Sequence, residues 1–409
     1  MSAPPGPPAP SGPPPPGPAA PPGPAEFRGR FPALDQTVHL ASCSLGARSI
    51  DLVDAVTAML ESMGEYGAPW DRFEQETAAA RAGFAALIGA QPDQIAVVPN
   101  ASVGAYQVAS TMDWANRPRI LTTAAEFPSL AHVWLAQRAR GAQPTFVPDH
   151  AAGGPADGYL STLEDQGGRV RLVSVPLVTY QNGVRLPVAE VAAAAHAAGA
   201  RVFVDAYQGV GVLPVDVDAL GCDYLVAGTL KYLLGLPGLA FLYARAPHAG
   251  DLPPQLTGWF GRVEPFAFDP RQLDFPAGAR RFETGTPAVP AAYAANAGLG
   301  LIGGLDLNAV HQHVTSLIRR ATDLLTEQGE RLRLPADPGA GGAHLALLDA
   351  EPQALAGWLA EHGVAVAPRG DVVRLSFHYY SNADDVDLAC QEIRRYRNSA
   401  AGRGRRPVG

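Results

Sequence analysis

Apolar positions along the chain follow two rhythms that alternate from about residue 50 onward. Residues 50–64 and 74–88 carry apolar side chains at helical spacing and are rich in Ala, Leu and Met. Short apolar runs bounded by turn residues then recur at 95–98, 119–121, 170–175, 202–204, 224–226 and 239–243. Stretches with helical spacing, such as 188–198, separate several of them. Alternation of this kind predicts a mainly parallel sheet sandwiched by helices, an α/β fold. In such sheets the loops leaving the carboxyl ends of the strands build the functional site. From about 290 an Ala/Gly-rich helical stretch leads into a helix near 308–330, and a mixed strand and helix pattern runs on to about 397. The expected organisation is a Pro-rich tail at 1–25, an N-terminal segment at 26–60, a large domain at 61–295, a smaller C-terminal α/β domain at 296–398 and a tail at 399–409.

Composition narrows the function more than the fold. The 409 residues are 47% hydrophobic, enough for one large core and a smaller one. A net charge of -8 argues against a nucleic-acid or anionic-membrane partner, and no apolar run is long enough to span a bilayer. Residues 1–25 are mostly Pro, Gly, Ala and Ser, which cannot pack a core, so a disordered tail is expected. The stretch lacks the basic start and apolar segment of a signal peptide. The Arg-rich end at 394–406 is expected to be the exposed end of a helix and a frayed tail. Cys43, Cys222 and Cys390 are an odd number without CxxC spacing, which fits a reducing cytoplasm and neither a disulfide scaffold nor a zinc site. Among 31 Lys plus Arg residues only one, Lys231, is a lysine.

That lysine has a partner. Residues 201–205 read as a buried strand ending in Asp205. Residues 222–231 read as the next strand, ending in Lys231, and Gly235-Leu-Pro-Gly238 turns the chain into another. An acid and a lysine then stand at the same edge of neighbouring strands. Pyridoxal 5'-phosphate (PLP) chemistry needs this pair. A lysine forms an imine with the aldehyde and acts as a base once released. A carboxylate keeps the pyridine nitrogen protonated, so that the ring can accept electrons. A buried carboxylate also needs a cationic partner. The competing reading, a helix-capping Asp and a surface Lys, is weakened by the apolar context and by the absence of any other lysine.

The stretch from Asp205 to Lys231 resembles the class V aminotransferase family of fold-type I PLP-dependent enzymes, which includes cysteine desulfurases and kynureninases. Motifs in matching order span about 38 to 390. The resemblance implies a homodimer with shared active sites and an amino-acid substrate. It also implies roles for particular residues. In Asn100-Ala-Ser-Val-Gly104, Ser102 would offer a hydroxyl and Ala101 and Val103 backbone amides to the cofactor phosphate, at a helix N-terminus suited to an anion. Phe127 would stack on the PLP ring. Gln208 and Thr179 would lie near its phenolic oxygen, and Thr229 would be a phosphate ligand. Trp259 and Thr286, in Gly-rich loops, would reach the phosphate from the partner subunit. Arg374 would grip the substrate α-carboxylate, since a guanidinium fork fits a carboxylate. Cys43 and Ser44 lie in a segment that would reach the substrate pocket, and Trp70, Tyr379 and Tyr380 are candidate pocket aromatics.

Departures from the family's patterns restrict the reaction. Residues 363–373 contain no cysteine for persulfide chemistry, and Phe127 stands where desulfurases have His. Leu230 stands where kynureninases have Tyr, and Gln208 where they have His. What remains is transamination as the lead, with β-elimination of a C–S or C–C bond or epimerisation as alternatives. Each would start from an external aldimine and removal of the Cα proton by Lys231. A non-catalytic binding or regulatory protein on the same fold is the reading from another class. Gly298-Leu-Gly-Leu-Ile-Gly303 spells a dinucleotide fingerprint, but it follows no strand and is read as close helix packing. His311 and His313 do not share a helix face and make a poor metal pair.

Overall fold

The computed structural model describes residues 21–148, 156–246, 251–335 and 338–399. They form two sheets. The first strand, β1 (Val38–Leu40), belongs to the smaller sheet. The larger is built from β2 (Ile95–Val98), β3 (Arg119–Thr123), β4 (Gln143–Val147), β5 (Val170–Pro176), β6 (Arg201–Asp205), β7 (Tyr224–Gly228) and β8 (Ala240–Ala244), in the order β2-β8-β7-β6-β5-β3-β4. Strands β4, β3, β5, β6 and β7 run parallel, and β8 runs antiparallel to both of its neighbours.

The inner strands read as unbroken apolar runs because both faces are covered. Val202 and Val204 of β6 enter one core cluster while Phe203 enters the other. One cluster takes in residues of helices Trp70–Leu87, Val188–Ala197 and Val289–Gly303, and the other takes in residues of Ala101–Ser110 and Pro128–Ala136. The mainly parallel sheet sandwiched by helices is therefore as the apolar rhythm predicts. Strand β4 escapes the pattern because it is an edge strand with exposed or half-buried positions, and only Val147 is buried.

The smaller sheet contains β9 (Leu332–Arg333), β10 (His344–Leu348), β11 (Val364–Arg369) and β12 (Val372–Ser376), in the order β1-β11-β12-β10-β9. Strand β1 pairs parallel with β11, so the N-terminal segment completes a sheet formed by the C-terminal third of the chain. Two expectations about the termini need correction. Helix Pro24–Arg28 begins inside the stretch read as disordered; its Phe27 is buried against Phe31, Tyr379 and Tyr380, and Arg28 pairs with Asp385 at 2.8 Å. The rest of that tail, 1–20, lies outside the described residues, as does 400–409. At the other end Arg397 is not an exposed charge. It is buried with its guanidinium 2.9 Å from Glu330 and 2.6 Å from Asp349, both buried too.

Strand direction decides where the chemistry gathers. Strands β2 and β7 both oppose β8, so they run the same way, and β3, β5 and β6 share that direction. The carboxyl ends of all five therefore open onto one edge of the sheet.

Candidate active site

The loops on that edge enclose a cavity of about 270 Å³, into which the N-terminal segment and the β11–β12 hairpin also reach. Nine of the residues singled out in the sequence line it: Cys43, Ser44, Ala101, Ser102, Phe127, Asp205, Gln208, Lys231 and Arg374.

Lys231 is placed by a tight turn after β7. The Thr229 N–H donates to Leu239 O, Gly235 N–H to Thr229 O and Leu234 N–H to Lys231 O. Leu234 adopts φ +57°, a left-handed conformation unusual for a branched side chain. The N-terminal segment braces this turn, because Gly46 N–H donates to Leu230 O at 2.8 Å and a side chain at Gly46 would collide with the Lys231 carbonyl. Gly298 approaches from the other side: an added Cβ would strike the Leu233 carbonyl. The close approach expected of that glycine is therefore to the lysine turn and not to another helix.

Burial presses the Lys231 amine down from its ordinary value to about 8, against the pull of Asp205, with Arg374 and Arg369 lowering it further. Its Nζ sits 4.3 Å from the centre of the Tyr207 ring and 5.6 Å from that of Phe127. Asp205, at the end of β6, is buried and accepts the Tyr207 N–H at 2.9 Å. Burial raises its pKa, while Tyr207 N–H and Lys231 hold it back. A second buried acid, Glu126, accepts from Phe127 N–H and from the Ser174 hydroxyl. Burial and the nearby Asp205 push it up to about 8.

At the far end, Ala101 and Ser102 open helix Ala101–Ser110, and first-turn amides have no acceptor within their own helix. Val103 differs from expectation: its N–H is taken by the Asn100 side chain at 3.0 Å, which caps the helix. Thr229 differs too. Its hydroxyl donates to Leu236 O at 2.6 Å and so closes the lysine turn, away from the cavity. Thr179 spends its hydroxyl on Asn182 and on the Val184 N–H within its own turn, and it does not line the cavity.

Arg374, on β12, is buried. Its Nη1 donates to Tyr180 O at 2.8 Å and its Nε to Ala367 O at 3.2 Å, and its Nη2 has no protein partner. Gln208 donates to Cys43 O at 3.0 Å and leaves its Oε1 without a partner. These orphaned buried atoms, together with the lysine, the acid and the open helix end, fit PLP and a carboxylate substrate.

The remaining candidates lie elsewhere. Trp259 and Thr286 do not line the cavity. Their loops touch each other, with Phe260 N–H donating to Thr284 O, and Trp259 packs on Trp70, Phe266 and Phe268. Trp70, Tyr379 and Tyr380 are not pocket aromatics. Trp70 is exposed beside Trp259, Tyr379 is buried against Phe27 and His313, and Tyr380 anchors the N-terminal segment through Ser42 and the Ala47 N–H. The aromatics that do line the cavity are Phe127, Tyr180 and Tyr207. The sequence assigns no role to Tyr180, Tyr207, Glu126 or Arg369. Only Glu126 and Tyr207 carry a hint there, through their places beside Phe127 and near Asp205.

Comparison with known proteins identifies the family and the fold. A family model described as Aminotransferase class-V matches residues 62–388. An uncharacterized aminotransferase of Bacillus subtilis strain 168, YcbU, is 35% identical over 368 residues, which is 90% of this chain and 96% of that protein. A kynureninase of Deinococcus radiodurans is 30% identical over 312 residues, 74% of each chain. Among solved structures, a mutant of the C–S lyase C-DES with glycine covalently linked to its PLP cofactor superposes with a TM-score of 0.82 at 22% identity, covering 90% of this chain and 98% of that one. A cysteine desulfurase from Thermococcus onnurineus NA1 gives a TM-score of 0.78 at 22% identity, over 90% of this chain and 96% of that one.

Proposed function

The chain belongs to the class V aminotransferase family, and from that premise we propose that this fold-type I, PLP-dependent enzyme transfers the amino group of an amino-acid substrate, with Lys231 as its catalytic base. The observation that carries the reading is the meeting, in one cavity, of the only lysine with Asp205 and Arg374.

When bound, PLP would supply an electron-accepting ring that stabilises negative charge at the substrate Cα, with Lys231 as the residue that holds its aldehyde. The chain's own residues do the rest. Asp205 offers a buried carboxylate to the ring nitrogen and gains a cationic partner there. Gln208 would hold the phenolic oxygen, and the Ser102 hydroxyl with the Ala101 and Ser102 amides would hold the phosphate. Phe127 and Tyr207 would pack against the ring. Arg374 would bind the α-carboxylate through its unpaired Nη2, which would orient the Cα–H bond toward Lys231. An amine near 8 is neutral in about one molecule in ten at pH 7, far more often than an ordinary lysine, and in that form can take the proton.

The phosphate site is completed by a second copy of the chain. Trp259 and Thr286 lie with exposed Trp70, Phe266 and Phe268 on an apolar face of the kind that marks an interface. The proposed cofactor-binding unit at 61–295 and smaller unit at 296–398 have bounds that fall inside helices Ile50–Tyr66 and Val289–Gly303, and strand β1 completes the smaller unit's sheet. Among the described residues no helix is long and apolar enough to cross a membrane, and all three cysteines are free and buried. We propose a cytoplasmic enzyme, since free, buried cysteines suit a reducing compartment.

The test is a single-turnover screen of the PLP-loaded protein against amino acids without an acceptor. Transamination yields one keto acid per cofactor and then stops. Continuous release of pyruvate and ammonia would replace this reading by β-elimination. A protein that takes up no PLP would end it.

A further inference from the structure

The cavity holds a second guanidinium that the proposed reaction does not use. Arg369 ends β11 and Arg374 lies on β12. The strands pair antiparallel, with Ala367 opposite Arg374 and Arg369 opposite Val372. Residues directly opposite share a face, and so do residues two apart on one strand. Arg369 and Arg374 therefore project from the same face of one hairpin as diagonal neighbours, and both line the Lys231 cavity.

No protein anion answers this pair. Asp371, in the turn of the hairpin, is committed to Arg333 at 2.7 Å and to Gln181 at 3.2 Å. The cavity's own acids, Asp205 and Glu126, stand at the ends of β6 and β3 on the other sheet. Among the described residues the Arg369 side chain has no ion pair or hydrogen bond, and the buried Arg374 keeps Nη2 without a partner. Like charges at diagonal cross-strand positions repel, so the hairpin is arranged for anions that come from outside the chain.

We propose that Arg369 selects a second anionic group, and that the substrate is an amino acid whose side chain ends in a carboxylate or a comparable anion such as a sulfinate. This rests on the reading of the cavity as an amino-acid site with Arg374 at the α-carboxylate. The two guanidiniums then divide the substrate's two anions. The buried Arg374 takes the one next to the reacting carbon, and Arg369, exposed at the hairpin's end, takes the distal one.

The experiment is a spectral binding titration of the PLP-loaded enzyme with L-aspartate, L-glutamate and L-cysteine sulfinate against L-asparagine, L-glutamine and L-alanine. The acids should bind more tightly than their amides. Arg369→Ala should weaken the acidic series by about 10- to 100-fold more than the neutral series, the range expected for one charge-assisted hydrogen-bonded contact. Arg369→Lys should recover part of the loss, and Arg369→Glu should shift preference toward L-lysine. An unchanged cofactor spectrum in each variant verifies that the site is intact. Equal binding of acids and amides by the native enzyme, or equal weakening of both series in Arg369→Ala, overturns the inference and leaves the amino-acid reading standing. If no amino acid perturbs the cofactor spectrum, both fall together.

Discussion

Capture of PLP by the apoprotein, followed from pH 6 to 11, reads the Lys231 amine directly, because only a neutral amine attacks the aldehyde. Burial lowers this amine from 10.5 to about 8. At pH 7 an amine of that pKa is neutral in about one molecule in ten, against about one in three thousand for an ordinary lysine, a gain of about 300-fold. The initial rate should therefore climb to a midpoint near 8 and then level off. Borohydride trapping and peptide mapping assign the label without ambiguity, since the chain has no other ε-amine. Two variants fix the cause. The Asp205 carboxylate raises the Lys231 pKa and the Arg374 guanidinium lowers it, so Asp205→Asn should move the midpoint down and Arg374→Gln should move it up. A native midpoint near 10.5, or variant shifts in the opposite directions, would refute the argument that the amine is desolvated in the cavity.

Glu126 makes a different pH prediction. Its carboxyl rises from 4.5 to about 8 on folding, so the folded state binds an extra proton between those values. The stability it contributes is present below about 4.5 and is lost as pH rises through 8. In urea unfolding, native stability minus that of Glu126→Gln should fall between pH 5 and pH 9, and a flat difference would count against the assignment. Arg397→Ala leaves Glu330 and Asp349 buried without their cation and should cost roughly 3–5 kcal/mol in the same assay; a loss below about 1 kcal/mol would mean the triad is open to water. Gly298→Ala forces a methyl onto the Leu233 carbonyl and should cost about 1–3 kcal/mol as well as slow PLP capture. Gly300→Ala, with nothing within 4 Å of the added carbon, should raise Tm through helix propensity, and equal effects of the two would sink the distinction.

The legible parts of this protein share a cause. Strands β5, β6 and β7 show in the sequence because burial on two faces demands unbroken apolar runs. Asp205 and Lys231 show because a charge that ends such a run needs a reason to be there. Edge strand β4 has no such demand, and the pairing of β1 with β11 joins segments more than three hundred residues apart. Neither leaves a local trace.

Where the geometry departs from the motifs inside the site, the cause is the same. The motifs put Thr229 and Val103 in the right neighbourhood to donate to a phosphate, yet each has a nearer claimant. The lysine turn, with Leu234 in a left-handed conformation, needs its carbonyls satisfied, and the Thr229 hydroxyl answers Leu236. Helix Ala101–Ser110 needs a cap, and Asn100 takes the Val103 amide. A motif states which groups are close, but the competition among acceptors decides which donors are left for a ligand. The same logic runs forward. Among the arginines that line the cavity of Lys231, the groups that no protein acceptor claims are Arg374 Nη2 and the Arg369 side chain. The family motif singles out Arg374 in the sequence, but nothing there tells Arg369 from the other arginines of the chain. What separates them is that the hairpin supplies no carboxylate for either, which leaves the substrate as the partner that must.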